Sequence, residues 1–247
     1  MIRYLILDLD GTLYKKRSVV EYYLKQFAKA KNLNFTKIHK KFTRAYVVAK
    51  EKTYKNTNIF WSQVHELFLH SINSDQKEFL DALAEEAKLN LVHSIRPRKY
   101  LIDLLKRAKD SGIAIVIFTG SNNMYDVIKL SESEAEYNAL LALKKKQIEV
   151  LGLSEYVDKL ILANKYGGFK PQKFVFEKLL QDLNACADEC IMIGDTYNDI
   201  GATQVGIFSI LIGNNDTKEF RPNLIARTFK EITNIIDFER CILKRSD

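Results

Sequence analysis

Asp8 and Asp10 stand one residue apart at the end of a mostly apolar run that begins at Ile2. Crowding two like charges at the end of a buried strand raises at least one pKa and costs several kcal/mol unless a cation or hydrogen-bond donors compensate. The pair therefore calls for a partner, and a divalent metal ion suits it best. Three more reactive groups follow other short apolar runs: Thr119-Gly120-Ser121, Lys170 in Gly167-Gly168-Phe169-Lys170-Pro171, and Gly194-Asp195-Thr196-Tyr197-Asn198-Asp199. In an open parallel sheet, ligands bind beyond the carboxyl ends of the strands. On such a sheet a hydroxyl, an ammonium and the carboxylates of Asp8, Asp10, Asp195 and Asp199 converge on one edge.

Taken singly, each has a bland reading. Asp8, Asp10, Thr119 and Asp195 could be turn or cap residues, Asp199 an exposed helix residue, and Lys170 a surface lysine before a helix opening at Pro171.

The elements that must position these groups show in the texture of the chain. Between Gly11 and Gly112 there is no glycine and the only proline is Pro97, so this stretch reads as helical. Apolar residues recur there at helical spacing in four segments, around Val20 to Phe27, Ile38 to Ala49, Trp61 to Phe68 and Phe79 to Ala87. Ser18 with Glu21 forms a capping-box pattern, and Thr36 and Ser74 are N-cap candidates. After Pro97, helices at 99–109, 174–183, 198–205 and 229–238 alternate with strands at 113–118, 159–162, 190–193 and 207–212.

The predicted fold is α/β, a doubly wound parallel sheet with an inserted all-helical domain. The α/β domain covers residues 1–14 and 96–247, and the helical domain residues 15–95. Tyr125 to Val150 reads as further helix inserted after the second strand.

Composition limits the function classes. The chain has 247 residues, 47% hydrophobic and 28% charged, which excludes disorder and a membrane span. The formal charge of +7 is scattered. Its compact clusters, Lys15-Lys16-Arg17 and Lys144-Lys145-Lys146, do not interleave with aromatics and read as solvated faces rather than a nucleic-acid surface. No secretory signal is visible, and cytoplasmic residence is the expectation. Cys186, Cys190 and Cys241 lack zinc-site spacing and read as inert thiols. His65 and His70, five apart, point to different faces of a helix and do not form a metal pair. Trp61 reads as core, and Gly167-Gly168 as a turn.

Asp-Leu-Asp-Gly-Thr-Leu at 8–13, followed by a threonine, a lysine and Gly-Asp-x-x-x-Asp at 194–199, resembles the haloacid dehalogenase superfamily of aspartyl-phosphate-forming hydrolases. The helical insert is similar to that superfamily's first class of cap domain. The resemblance implies a nucleophile at Asp8 and a general acid and base at Asp10. It also implies phosphoryl binding by Thr119 and the Gly120 amide, and charge neutralisation by Lys170. Mg²⁺ would be held by Asp8, the main-chain carbonyl of Asp10 and Asp195, with Asp199 supporting through water.

The activity so implied is a Mg²⁺-dependent phosphatase for a small phosphorylated metabolite, with neither nucleic acid nor membrane as partner. A phosphomutase and a noncatalytic phospho-aspartate switch are the rivals. The cap would close over the site, and Lys50 to Asn58, a polar link between two of its helices, is the segment expected to face it. One departure stands out: Lys173 occupies the place of the second proline in the lysine motif of many relatives, and Phe174 or Phe176 that of its phenylalanine.

Overall fold

The structure is a computed structural model and describes residues 1–15, 19–53, 57–120, 134–213 and 219–243. In chain order the first elements are β1 (Tyr4–Leu7), α1 (Val19–Ala30), α2 (Phe35–Thr53), α3 (Thr57–Ser71), α4 (Lys77–Ser94) and α5 (Leu101–Asp110). They are followed by β2 (Ala114–Thr119), α6 (Glu134–Val150), β3 (Lys159–Leu162), α7 (Lys173–Leu183) and β4 (Cys190–Gly194). The last are α8 (Tyr197–Ile200), β5 (Phe208–Ile212), β6 (Leu224–Ala226), α9 (Phe229–Ile235), β7 (Ile236–Asp237) and β8 (Ile242–Leu243).

The chain divides into two compact units. Described residues of the first fall within Met1–Lys16, Ile95–Ser121 and Leu130–Asp247, and those of the second within Arg17–Ser94. The first unit is built on a six-stranded parallel sheet of order β3-β2-β1-β4-β5-β6. The chain winds outward from β1 to β2 and β3, then returns to place β4 on the other flank of β1. That reversal marks the crevice where doubly wound sheets bind ligands.

Period-two alternation sorts the side chains to two faces. Leu5, Leu7, Ile115, Ile117, Ile191 and Ile193 pack with Leu101, Leu104 and Leu105 of α5 and with Phe229 and Ile232 of α9. Ile6, Val116, Phe118 and Met192 pack with Val175, Phe176 and Leu179 of α7. Both faces are covered, which is why the strands read as unbroken apolar runs.

The second unit, α1 to α4, has its own core of Tyr23, Phe27, Phe42, Val64, Phe68, Leu80 and Ala84, with Trp61 packed against it. His65 is buried there with its Nδ1 2.5 Å from Asp81 and its Nε2 3.1 Å from the Tyr23 hydroxyl, while His70 is exposed.

Several elements differ from the sequence expectation. Asn34, not Thr36, caps α2, its Oδ1 accepting the Lys37 N–H at 3.0 Å. Ser74 accepts the Gln76 N–H at 3.3 Å and so shapes the turn before α4. Ser18 lies outside the described residues. The link expected from Lys50 to Asn58 is shorter, since α2 runs to Thr53 and α3 opens at Thr57; the residues between lie outside those described. Of the segment 125–150, residues from Glu134 form α6 and the rest lie outside the described residues.

The helix expected over 198–205 is one α-turn followed by 3₁₀ structure from Gly201 to Val205, and the one expected over 229–238 gives way to β7 at Ile236. Among the described residues, no helix is long and apolar enough to cross a membrane.

Candidate active site

The site lies at the carboxyl edge of β1, β2 and β4. Leu7 is in register with Ile117 and with Ile193, so the carboxyl ends of the three strands lie within two residues of one another along the sheet edge. The Asp8 N–H donates to the Ile193 carbonyl at 3.0 Å, which pins the first acid to the end of β4. The chain then turns sharply through Gly11 at φ +94°, where a Cβ would stand 2.3 Å from an Asp195 carboxylate oxygen. Only glycine meets both demands. Gly194 plays the same part for Asp199, since a Cβ there would come within 2.1 Å of the Asp199 Cβ.

Lys170 reaches this edge from the loop before α7, and its ammonium is buried. It donates to Asp8 at 2.7 Å, to Asp199 at 2.5 Å and to the Phe118 carbonyl at 3.1 Å, which uses all three of its N–H bonds. Burial alone would lower its pKa, but Asp199 and Asp8 reverse that and hold the ammonium charged. The surface-lysine reading therefore fails, and the helix behind Lys170 opens at Lys173 rather than Pro171. Phe176 is core, its ring 5.8 Å from that of Phe118.

One ammonium does not balance the acids around it. Oxygens of Asp8, Asp195 and Asp199 lie within 4.8 Å of one another. Burial, reinforced by Asp199 and Asp10, pushes the Asp8 carboxyl up to about 7 against the pull of Lys170. Burial and Asp199 likewise raise Asp195, opposed by the Thr12 hydroxyl and Arg98. Three hard oxygen donors with an unmet need for positive charge fit a divalent cation.

Thr12 joins the cluster, with its hydroxyl 3.1 Å from Asp8 and 3.2 Å from Asp195. It is a site residue whose role its sequence position did not announce. Asp199 is not an exposed helix residue. It is buried, and while one oxygen takes Lys170 the other accepts the Thr196 N–H at 3.2 Å and hydroxyl at 2.9 Å.

Thr119 and Gly120 are buried at the end of β2, directly after the Phe118 carbonyl that Lys170 grips. The Asp10 carboxylate is not among the clustered metal-ligand atoms. It is bonded to the Tyr14 hydroxyl and to the ammonium of Lys144, with the Gln147 amide 3.4 Å away. Gln147 also donates to the Tyr14 hydroxyl at 3.1 Å.

Lys144 is thus a correction to the solvated-face reading: it is 3% exposed while its neighbour Leu143 is 42% exposed. Helix α6 turns a polar stripe inward and a leucine outward. The i, i+3 spacing of Lys144 and Gln147 beside the apolar Ile148 is the signal that could have disclosed it.

A family model for haloacid dehalogenase-like hydrolases matches residues 2–205. The chain is 25% identical over 226 residues to the ribulose-1,5-bisphosphate 5-phosphatase of Halopiger xanaduensis, covering 83% of this chain and 82% of that one. It is 23% identical over 124 residues to the pyrophosphatase PpaX of Halalkalibacterium halodurans, covering 46% of this chain and only 58% of that relative. Among solved structures, the HAD-hydrolase YfnB of Bacillus subtilis bound to magnesium is similar with a TM-score of 0.66 at 15% identity, over 96% of this chain and 99% of that one. With its two-way wound sheet, its strand-end acids and a family match over most of its length, the chain belongs to the haloacid dehalogenase-like hydrolases.

Proposed function

We propose that the protein is a Mg²⁺-dependent phosphatase that hydrolyses a small phosphorylated metabolite through an aspartyl-phosphate on Asp8. The observation that carries this reading is the buried Lys170 bridging Asp8 and Asp199 beside a third acid, Asp195. Asp8, Asp195 and Asp199, with the main-chain carbonyl of Asp10, are the residues that would hold the ion. Bound there, Mg²⁺ supplies charge neutralisation for phosphoryl oxygens. The names of the two curated relatives and the magnesium of the B. subtilis hydrolase support the assignment.

In the first half-reaction an Asp8 oxygen attacks phosphorus. The bond from phosphorus to the ester oxygen breaks, and that oxygen takes a proton from Asp10. In the second, water gives a proton to Asp10 as its oxygen attacks the same phosphorus. The bond between phosphorus and Asp8 then breaks, restoring the carboxylate and freeing inorganic phosphate. Thr119 and the Gly120 N–H donate to the phosphoryl oxygens, and Lys170 offsets the charge that grows on them. A halide departs without a proton, so a carboxyl at position 10 favours an ester oxygen as the leaving atom.

The test is a panel of phosphorylated metabolites incubated with Mg²⁺ and assayed for free phosphate. Release of phosphate, falling to background in Asp8→Asn and after EDTA, is the expected result. Retained turnover in Asp8→Asn removes the nucleophile assignment. An isomerised sugar phosphate in place of free phosphate identifies a mutase, and a stable phosphoryl-protein without turnover identifies a switch.

A further inference from the structure

We infer that Lys144 and Gln147, both on α6, are positioning residues that hold the Asp10 carboxyl in place for proton transfer. The inference rests on the reading of Asp10 as acid and base given above. Lys144 reaches Asp10 from far along the chain and is almost wholly buried in doing so. Gln147, one helical turn on, directs its amide N–H bonds to Asp10 and to the Tyr14 hydroxyl, and Tyr14 in turn donates to Asp10. Ammonium, phenol and amide thus approach the carboxylate together, and its rotation about χ1 and χ2 is constrained.

Stability alone does not account for this arrangement. Desolvating an ammonium and a carboxylate generally costs as much as their attraction returns, and an apolar residue of the size of Lys144 would serve a core at least as well. The Gln147 Oε1 is buried with no hydrogen-bond partner among the described residues, a further cost accepted at the same spot. What the cluster does supply is a fixed direction for a carboxyl that must meet first an ester oxygen and then a water. Misplacing a reacting group by about 1 Å can cost on the order of 10²-fold in rate.

The two half-reactions give the experiment a signature. With an alkyl phosphate, the leaving alkoxide needs the Asp10 proton. With p-nitrophenyl phosphate it does not, yet hydrolysis of the phosphoryl-enzyme still needs Asp10 as base. Because kcat/KM reports steps through the first irreversible one and kcat also reports the second half, Lys144→Met should lower kcat/KM for the alkyl ester by about 10²-fold. For the aryl ester it should leave kcat/KM within about threefold while kcat falls. Lys144→Arg should recover part of the loss, Gln147→Leu should show the same split more weakly, and Lys144→Met should add nothing in an Asp10→Asn background.

An equal fall in kcat/KM for both esters, or losses that multiply with those of Asp10→Asn, overturns the positioning role. If Lys144→Met does not fold, Gln147→Leu and Lys144→Arg decide by the same split. If Asp10→Asn itself leaves the alkyl ester's kcat/KM unchanged, the reading of Asp10 fails, separately from the part given to α6.

Discussion

Asp199 serves two masters: one carboxylate oxygen anchors the Thr196 end of α8 and the other binds Lys170. The ammonium is thereby placed against Asp8 by a residue already locked into a helix start. The surplus of acid around it has a measurable consequence. Asp8 has a folded pKa raised to about 7, above the roughly 3.9 of an unfolded chain. Between these values the folded state binds more protons than the unfolded one, so its stability falls as pH rises through the window. A cation competes with those protons. Mg²⁺ should therefore raise the melting temperature of EDTA-treated protein more at pH 8 than at pH 5, the pH 8 increment being equivalent to about 2.7 kcal/mol at a hundredfold excess over the Kd at that pH. An equal increment at both pH values would detach the ion from these carboxylates.

Asp8, Asp10, Lys170, Asp195 and Asp199 were legible because their types and order announce chemistry at strand ends. Lys144 was not, because a lysine in a run of three looks solvated until α6 is seen to turn it inward. Thr12 was in plain view, but its two acceptors come from separate strand ends and meet only in three dimensions.

At the scale of elements, α7 is the brace of the site. Phe176 packs on Phe118, whose carbonyl accepts from Lys170, so the helix behind the lysine loop and the strand before it are tied through one aromatic contact. Phe176→Ala should cost about 3–5 kcal/mol in urea unfolding. It should also weaken Mg²⁺-dependent turnover, because the Lys170 loop loses its backing; a loss under about 1 kcal/mol would deny α7 that role.

The strands nearest the site were readable, because burial on both faces leaves long apolar runs. β6 was not, since three residues with Ile225 exposed carry too little pattern. Nor were β7 and β8: β7 continues the apolar periodicity of α9 and so reads as more helix, and β8 is only two residues long. The 3₁₀ stretch after α8 escaped for another reason: Gly201 lies against Pro171, where a Cβ would come within 2.5 Å, and no local spacing reveals such a contact.

At the scale of the whole molecule, the buried apolar residues described in the helical insert form one cluster of their own, and those described in the α/β unit form two others, one on each face of the sheet. The single tryptophan, Trp61, belongs to the insert. Its fluorescence should report the melting of α1 to α4, while far-UV circular dichroism follows both units. Mg²⁺ should move the circular-dichroism transition of the α/β unit and leave the Trp61 midpoint in place; a common shift of both signals would show the two cores to melt as one.

The position of β1 has one more consequence, for biosynthesis. Of the strands in this sheet it is the earliest in the chain, yet its neighbours in the finished sheet, β2 and β4, are translated only after insert helices α1 to α4, and β4 later still. Until then a short apolar segment ending in two acids waits with both edges open, while the insert already has everything its own core requires. The nascent chain thus completes a helical bundle long before its reactive edge can close, and the interval before β4 arrives is when it is most exposed to misassembly and to rescue by chaperones.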